Sequence, residues 1–216
     1  MTDAERVLPL FPLDQVVLFP GMSLPLHIFE DRYKVMIGAC QVTDQLFGVL
    51  LIRTGSEVGA PAHPQRVGCT ARMQRVDRLP DGRMTILTIG EQRFRLQGPA
   101  RVMSEGYLVG DVRFLPDAVS EPVAPDLVSN IAEEFGKYQT AALSMSGSTE
   151  GAQPPELPAD PVRLSYRIAA TLHVHPRERQ QLLELDDVAS RLQQELALLR
   201  RENRPAAKTI GPFSVN

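Results

Sequence analysis

Leu8-Pro-Leu-Phe-Pro-Leu-Asp-Gln-Val-Val-Leu-Phe-Pro-Gly-Met-Ser-Leu-Pro-Leu-His-Ile-Phe-Glu-Asp-Arg-Tyr33 sets four prolines and a glycine among short apolar runs before the sequence turns helical. Each proline removes a backbone donor and fixes φ. The stretch therefore predicts a short strand over residues 16–19, a turn at Pro20-Gly21 and a second extended piece over residues 23–28. Pro25 fits that second piece at a sheet edge or a bulge, where no ladder bond needs its missing N–H. Glu30 and Asp31 then open a helix running to about Cys40, because acid is favoured at the positive end of the helix dipole.

Downstream of this opening the period stays at two as far as Pro116. Val67, Cys69, Ala71 and Met73 alternate with Arg66, Thr70, Arg72 and Gln74, the pattern of a strand buried on one face. Pro80-Asp81-Gly82 supplies a turn, and residues 84–89 with 94–96 run back as the partner. The unbroken apolar run 46–52 reads as a fully covered strand, being short and flanked by turn formers. Residues 107–115 form a last strand.

After Pro116 the period becomes helical. Leu127, Ile131, Phe135 and Tyr138 make one stripe, and Leu164, Ile168 and Leu172 another. A third helix carries Leu182, Leu185, Ala189, Leu192, Leu196 and Leu199, a seam too short for a coiled coil and suited to a small bundle. These periods predict an α+β protein: a β-rich subdomain over 1–116 and a helical one over 117–204. A mobile loop is expected at about 144–160, which is turn-rich and poor in large hydrophobics, with a surface or disordered tail over 205–216.

A chain of 216 residues with 43% apolar content can bury a sizeable core. No apolar run approaches the roughly 20 residues that span a bilayer, and the start lacks the basic residues of a secretory signal. The expectation is a cytoplasmic protein with no membrane partner. Cys40 and Cys69 are too few for a disulfide framework, lack a CxxC partner for zinc, and read as small buried hydrophobes. Residues 1–116 carry a net charge of +1 and residues 117–216 one of −4. Within 66–101 eight arginines face only Asp77, Asp81 and Glu91, a local +5.

The motif search is negative for enzymes. There is no G-x-x-x-x-G-K-[ST], G-x-S-x-G or H-E-x-x-H, and none of the three lysines sits beside a serine-bearing loop motif. His173-Val-His175 lacks the further ligands that zinc needs, and His27 lacks a nucleophile or carboxylate partner. No catalytic residue, metal or cofactor is expected. Glu30 and Arg32 read as structural, and Phe11, Phe19, Phe29 and Tyr33 as core.

Leu-Pro-Leu-Phe-Pro-Leu, Val-Leu-Phe-Pro-Gly and Pro-Leu-His-Ile-Phe-Glu-Asp-Arg-Tyr resemble the opening of the amino-terminal substrate-recognition domain of the ATP-dependent Lon proteases. The resemblance continues at Val67-Gly-Cys-Thr-Ala and Gly90-Glu-Gln-Arg-Phe-Arg, and more weakly at Arg179-Gln-Gln-Leu-Leu-Glu with Arg191-Leu. It implies a compact, partly closed PUA-like β body followed by a helical bundle, here expected to have three helices. It also implies a non-catalytic module that grips unfolded or tagged polypeptide; with the phosphate-loop and nucleophile motifs missing, the module is expected to stand alone, with a separate ATPase or protease as a further partner.

Two surfaces are candidates for the ligand. Met22 and Leu24 lie in or just after a Pro-Gly turn, where an apolar side chain is hard to bury, and are the peptide-binding candidates. Arg66 and Arg72 share a face in the alternating strand, which Arg93 and Arg95 join from the returning one. That arginine-rich hairpin is the alternative, a site for RNA or another polyanion, opposed by a sequence pI near 5.8.

Overall fold

In the computed structural model, which describes residues 6–56, 62–119, 122–145 and 157–204, the proline-punctuated opening begins as strand β1 (Arg6–Leu13). Residues 16–19, expected as a strand, instead form an irregular arm, and the strand lies upstream of it. Pro9 and Pro12 are tolerated in β1 because pairing changes hands along it. Pro9 lies opposite Val109 of one neighbour and Pro12 opposite Leu50 of the other, so each proline leaves one side of the strand unpaired. The arm still buries Val17, Leu18 and Phe19. It passes so close to Gly90 that a Cβ there would sit 2.2 Å from the Phe19 carbonyl oxygen.

Strand β2 (Ser23–Ile28) and helix α1 (Asp31–Gln41) follow as the sequence predicts, then β3 (Leu46–Thr54) and the short β4 (His63–Pro64). Strands β5 (Val67–Arg78) and β6 (Met84–Leu96) form a long hairpin around Gly82, whose φ of 80° is the left-handed conformation glycine tolerates. The two segments expected for the returning strand are one continuous element. It bends where the register shifts opposite residues 69–71 and 73–75. The β body ends with β7 (Arg101–Val102) and β8 (Leu108–Phe114).

The sheet order is β2-β6-β5-β3-β1-β8-β7, and the far end of β6 also pairs with β8, Phe94 opposite Phe114. That extra pairing closes the sheet partly on itself and leaves β2 as an edge, where Pro25 was expected. Inside, Leu10, Phe94, Leu96 and Val112 fill one cluster. Phe11, Phe47 and Ile86 fill a second beneath α1, which contributes Tyr33, Met36 and Ile37.

Helices α2 (Pro125–Met145), α3 (Pro161–Thr171), α4 (Pro176–Glu184) and α5 (Val188–Glu202) form the bundle, four helices where three were expected. The leucine seam is buried at Leu182, Leu192, Leu196 and Leu199, but the helix that carries it is broken at Leu185. Leu185 is extended (φ −72°, ψ 121°), and Asp187 caps the new helix by accepting from the Ser190 N–H at 2.8 Å. Ala118 bridges to the break, its N–H donating to Asp186 O while its own carbonyl accepts from Val188. The bundle core takes in Phe19, Leu51, Val67 and Leu115 from the β body, so the two parts share one core. Most of the loop expected to be mobile (146–156) and the tail from 205 onward lie outside the described residues.

Candidate functional site

The turn at Pro20-Gly21 is built as its residue types require: Gly21 has φ 78°, and its N–H donates to Gly90 O at 2.8 Å. Gly90 N–H returns a bond to Met22 O at 2.9 Å, so the turn is clamped onto β6. Met22 is half-buried and packs against both the bundle core and the cluster under α1. Beneath it lies Arg179 of α4, whose Nη2 donates to Val17 O at 3.2 Å and sits 3.6 Å from the Met22 sulfur. With Pro20 and Ser23, Met22 forms one wall of a cleft of about 800 Å³. The opposite wall is α3, through Val162, Arg163, Tyr166, Arg167 and Ala170.

Leu24 is only 7% exposed and belongs to the core, which corrects its assignment to an exposed surface. The period of two explains this: once the strand begins at Ser23, Ser23 and Pro25 face outward and Leu24 must face in. Phe29 departs from expectation the other way, being 51% exposed with its ring tilted against His27.

The structure exposes a different apolar pair. Along β6 the polarity is inverted: Thr88 is fully buried, donating its hydroxyl to Leu24 O at 2.9 Å, while Leu87 and Ile89 face solvent at 40% and 37% exposure. Leu87 lies between Pro25 of β2 and Arg75 of β5, and Ile89 between Ser23 and Arg72. An apolar strip thus runs along the outer face of the edge ribbon and meets the cleft at Ser23. Sequence reasoning missed it, although Ile86-Leu87-Thr88-Ile89 carries a signal, since strict alternation cannot bury all three aliphatic residues.

The four hairpin arginines do not form a common basic face. Arg93 is 1% exposed and donates to Leu183 O, Leu185 O and Pro116 O, with Asp186 and Asp117 as ion partners. Arg72 is bound to Glu91 and donates to Asp44 O at 2.8 Å. Arg66 donates to Leu96 O at 3.1 Å, and Arg95 is half-buried with its Nε lacking a partner. Arg75, Arg83 and Arg101 pair with Asp77, Asp81 and Asp111. The local +5 is therefore dispersed among acids and carbonyls rather than presented to a polyanion, which corrects the hairpin alternative.

Behind the cleft the junction between the β body and the helices holds a buried polar network. Asp117 accepts from the Tyr166 hydroxyl and from Arg191 Nη2 (3.2 Å), and Arg191 stacks 4.2 Å over the Tyr166 ring. Arg191 Nε donates to Ser165 Oγ at 2.7 Å, which donates to Glu195 Oε1 at 2.8 Å. Burial pushes the Glu195 carboxyl well above the ordinary range for Glu, and its Oε2 has no partner. Burial also raises Tyr166. The Cys40 thiol is pushed up to about 11 and Cys69 further, so neither is a ready thiolate.

The remaining polar candidates have structural partners. His175 caps α4 through Nδ1, which accepts from the Arg177 N–H at 3.1 Å, while the Tyr138 hydroxyl meets both the His173 ring and its N–H. Glu30 pairs with Arg32 at 2.9 Å, and the Arg32 guanidinium lies over Tyr33. Among the described residues no group of histidine, cysteine and acid is placed to hold a metal. Nor is any helix among them long and apolar enough to cross a membrane.

Comparison with known proteins places this geometry. The chain is 31% identical over 206 residues to the Lon protease of Roseiflexus castenholzii, and 30% identical over 192 residues to Lon protease 1 of Hydrogenovibrio crunogenus. The alignments cover 93% and 88% of this chain but only 25% and 23% of those relatives, so it spans about a quarter of their length. Among solved structures, a Lon N-terminal domain protein from Xanthomonas campestris matches with a TM-score of 0.68 at 29% identity, covering 89% of this chain and 98% of that one. The N-terminal domain of the Mycobacterium avium complex Lon protease shares the fold, with a TM-score of 0.62 at 19% identity over 90% of this chain and 98% of that one. With the family model matching residues 7–201, the chain belongs to the family of the ATP-dependent protease La (LON) substrate-binding domain.

Proposed function

We propose that the chain is a non-catalytic recognition module that holds unfolded or tagged polypeptide for an ATPase and protease acting elsewhere. The observation that carries this reading is the inverted polarity of β6. A buried threonine with outward Leu87 and Ile89 costs the fold apolar burial, and the exposed pair adjoins both an edge strand and the Met22 cleft. An extended polypeptide laid on β2 would gain main-chain bonds from the edge and apolar contact from the strip, both tolerant of sequence.

The test is binding of a fluorescently labelled, permanently unfolded protein across a salt series. Apolar and strand-edge contacts should persist at about 0.5 M salt, where phosphate-type contacts are lost. Leu87→Ser/Ile89→Ser should weaken binding about tenfold, close to 1.4 kcal/mol, with the thermal midpoint unchanged. Full binding by that variant would refute the assigned surface, and failure of the parent chain to bind would refute the function.

A further inference from the structure

We propose that the cleft between the Pro20-Gly21-Met22 turn and α3 selects polypeptide segments in which an apolar side chain is followed within a residue or two by a carboxylate, received by Arg163 and Arg167. The inference rests on the reading that this module binds polypeptide, and it adds a chemical preference.

Arg163 and Arg167 stand one helical turn apart on α3, both exposed and both lining the cleft. The arginines of the arginine-rich stretch 66–101 show how acids are distributed in this protein, with Arg72, Arg75, Arg83 and Arg101 each bound to one. Among the described residues neither Arg163 nor Arg167 has such a partner for its guanidinium. The two acids that line the cleft are committed: Glu91 is held by Arg72, and Asp117 by Arg191, Arg93 and the Tyr166 hydroxyl. Asp160, at the start of α3, spends its carboxylate on the Arg163 N–H at 2.9 Å as the helix cap.

The cleft therefore offers apolar lining on both walls, from Met22 on one side and Val162 and Ala170 on the other, and a rim of two uncompensated guanidinium groups. Its volume of about 800 Å³ lies within the usual range for ligand clefts, roughly 300–1,000 Å³. Guanidinium binds carboxylate through paired N–H donors, and the fit is directional enough to favour it over a neutral amide. The carboxylate has two possible sources, an aspartate or glutamate side chain and the free carboxyl end of a polypeptide.

The experiment uses three fluorescent peptides with one Leu-Val-Phe core: a neutral peptide with an amidated end, the same peptide ending in a free carboxylate, and an amidated peptide with aspartate after the core. Affinities are measured for the parent chain and for Arg163→Gln/Arg167→Gln, which keeps polar side chains and helix propensity while removing both charges. At least one carboxylate peptide should bind about fivefold or more tightly than the neutral one, and that preference should vanish in the variant while neutral-peptide affinity stays the same. A preference for the free end alone assigns the carboxylate to a chain terminus, and one shared with the aspartate peptide assigns acidic side chains; both support the proposal. Equal binding of all three by the parent chain, or a preference that survives in the variant, overturns it while leaving polypeptide binding intact. If no peptide binds, the polypeptide reading and this inference fall together.

Discussion

Arg93 Nη1 donates to the Leu185 carbonyl oxygen at 2.8 Å, joining the long strand of the β body to the break between α4 and α5. A helix interrupted inside a core leaves carbonyls without intrahelical donors. Arg93 satisfies Leu183 and Leu185, and Arg191 donates to Leu185 as well, at 3.0 Å. The same guanidinium reaches Pro116 O at 3.0 Å, so one side chain holds the hairpin, the inter-subdomain connection and the bundle.

Arg93→Ala should therefore cost about 3–5 kcal/mol, since it strands buried partners of a charged group. Arg93→Lys should recover only part of this, because an ammonium cannot reproduce the planar fork. Urea denaturation of the three proteins checks it, with the loss appearing as a lower midpoint.

Glu195 makes stability depend on pH in a direction that can be stated beforehand. In the unfolded chain its carboxyl ionises near the ordinary 4.5, whereas burial keeps it protonated in the folded protein to well above that. Between those points the folded state holds a proton that the unfolded state has lost. The contribution of this group to stability is thus full below about 4.5 and falls as pH rises through the folded pKa. Glu195→Gln, an isostere of the neutral acid, should remove that slope. The midpoint difference between variant and parent, followed by denaturation from pH 4.5 to 8, should grow in the variant's favour as pH rises.

Leu24 and Leu87 lie on opposite faces of paired strands and should respond oppositely to the same change. Leu24→Ser introduces a hydroxyl and a void into a packed core and should cost about 2–5 kcal/mol. Leu87→Ser, on the solvent face, should stay within about 0.5 kcal/mol while weakening polypeptide binding. Thermal unfolding and binding measured on the same samples separate the two effects.

Most of the elements can be read from residue order alone, because their signals are local. The change of period at Pro116, the glycine turns at Gly21 and Gly82 and the leucine seam all follow from steric limits and side-chain spacing within a few residues, whereas β5 is buried on both faces over residues 67–71, Thr70 included, where alternation predicted one. Which strand the opening prolines occupy depends on long-range pairing, since their tolerance requires β1 to exchange one partner for another at Leu10. Tertiary contacts also broke the expected third helix, through Ala118 and Arg93 supplying bonds that a continuous helix would have made internally. The same holds for the surface. Leu24 and Leu87 are chemically identical, and Arg93 and Arg163 likewise, yet one of each pair is buried and the other faces solvent. That assignment is fixed by strand register and by which face meets the bundle. Both are properties of pairings between residues far apart in the chain, which local spacing does not encode.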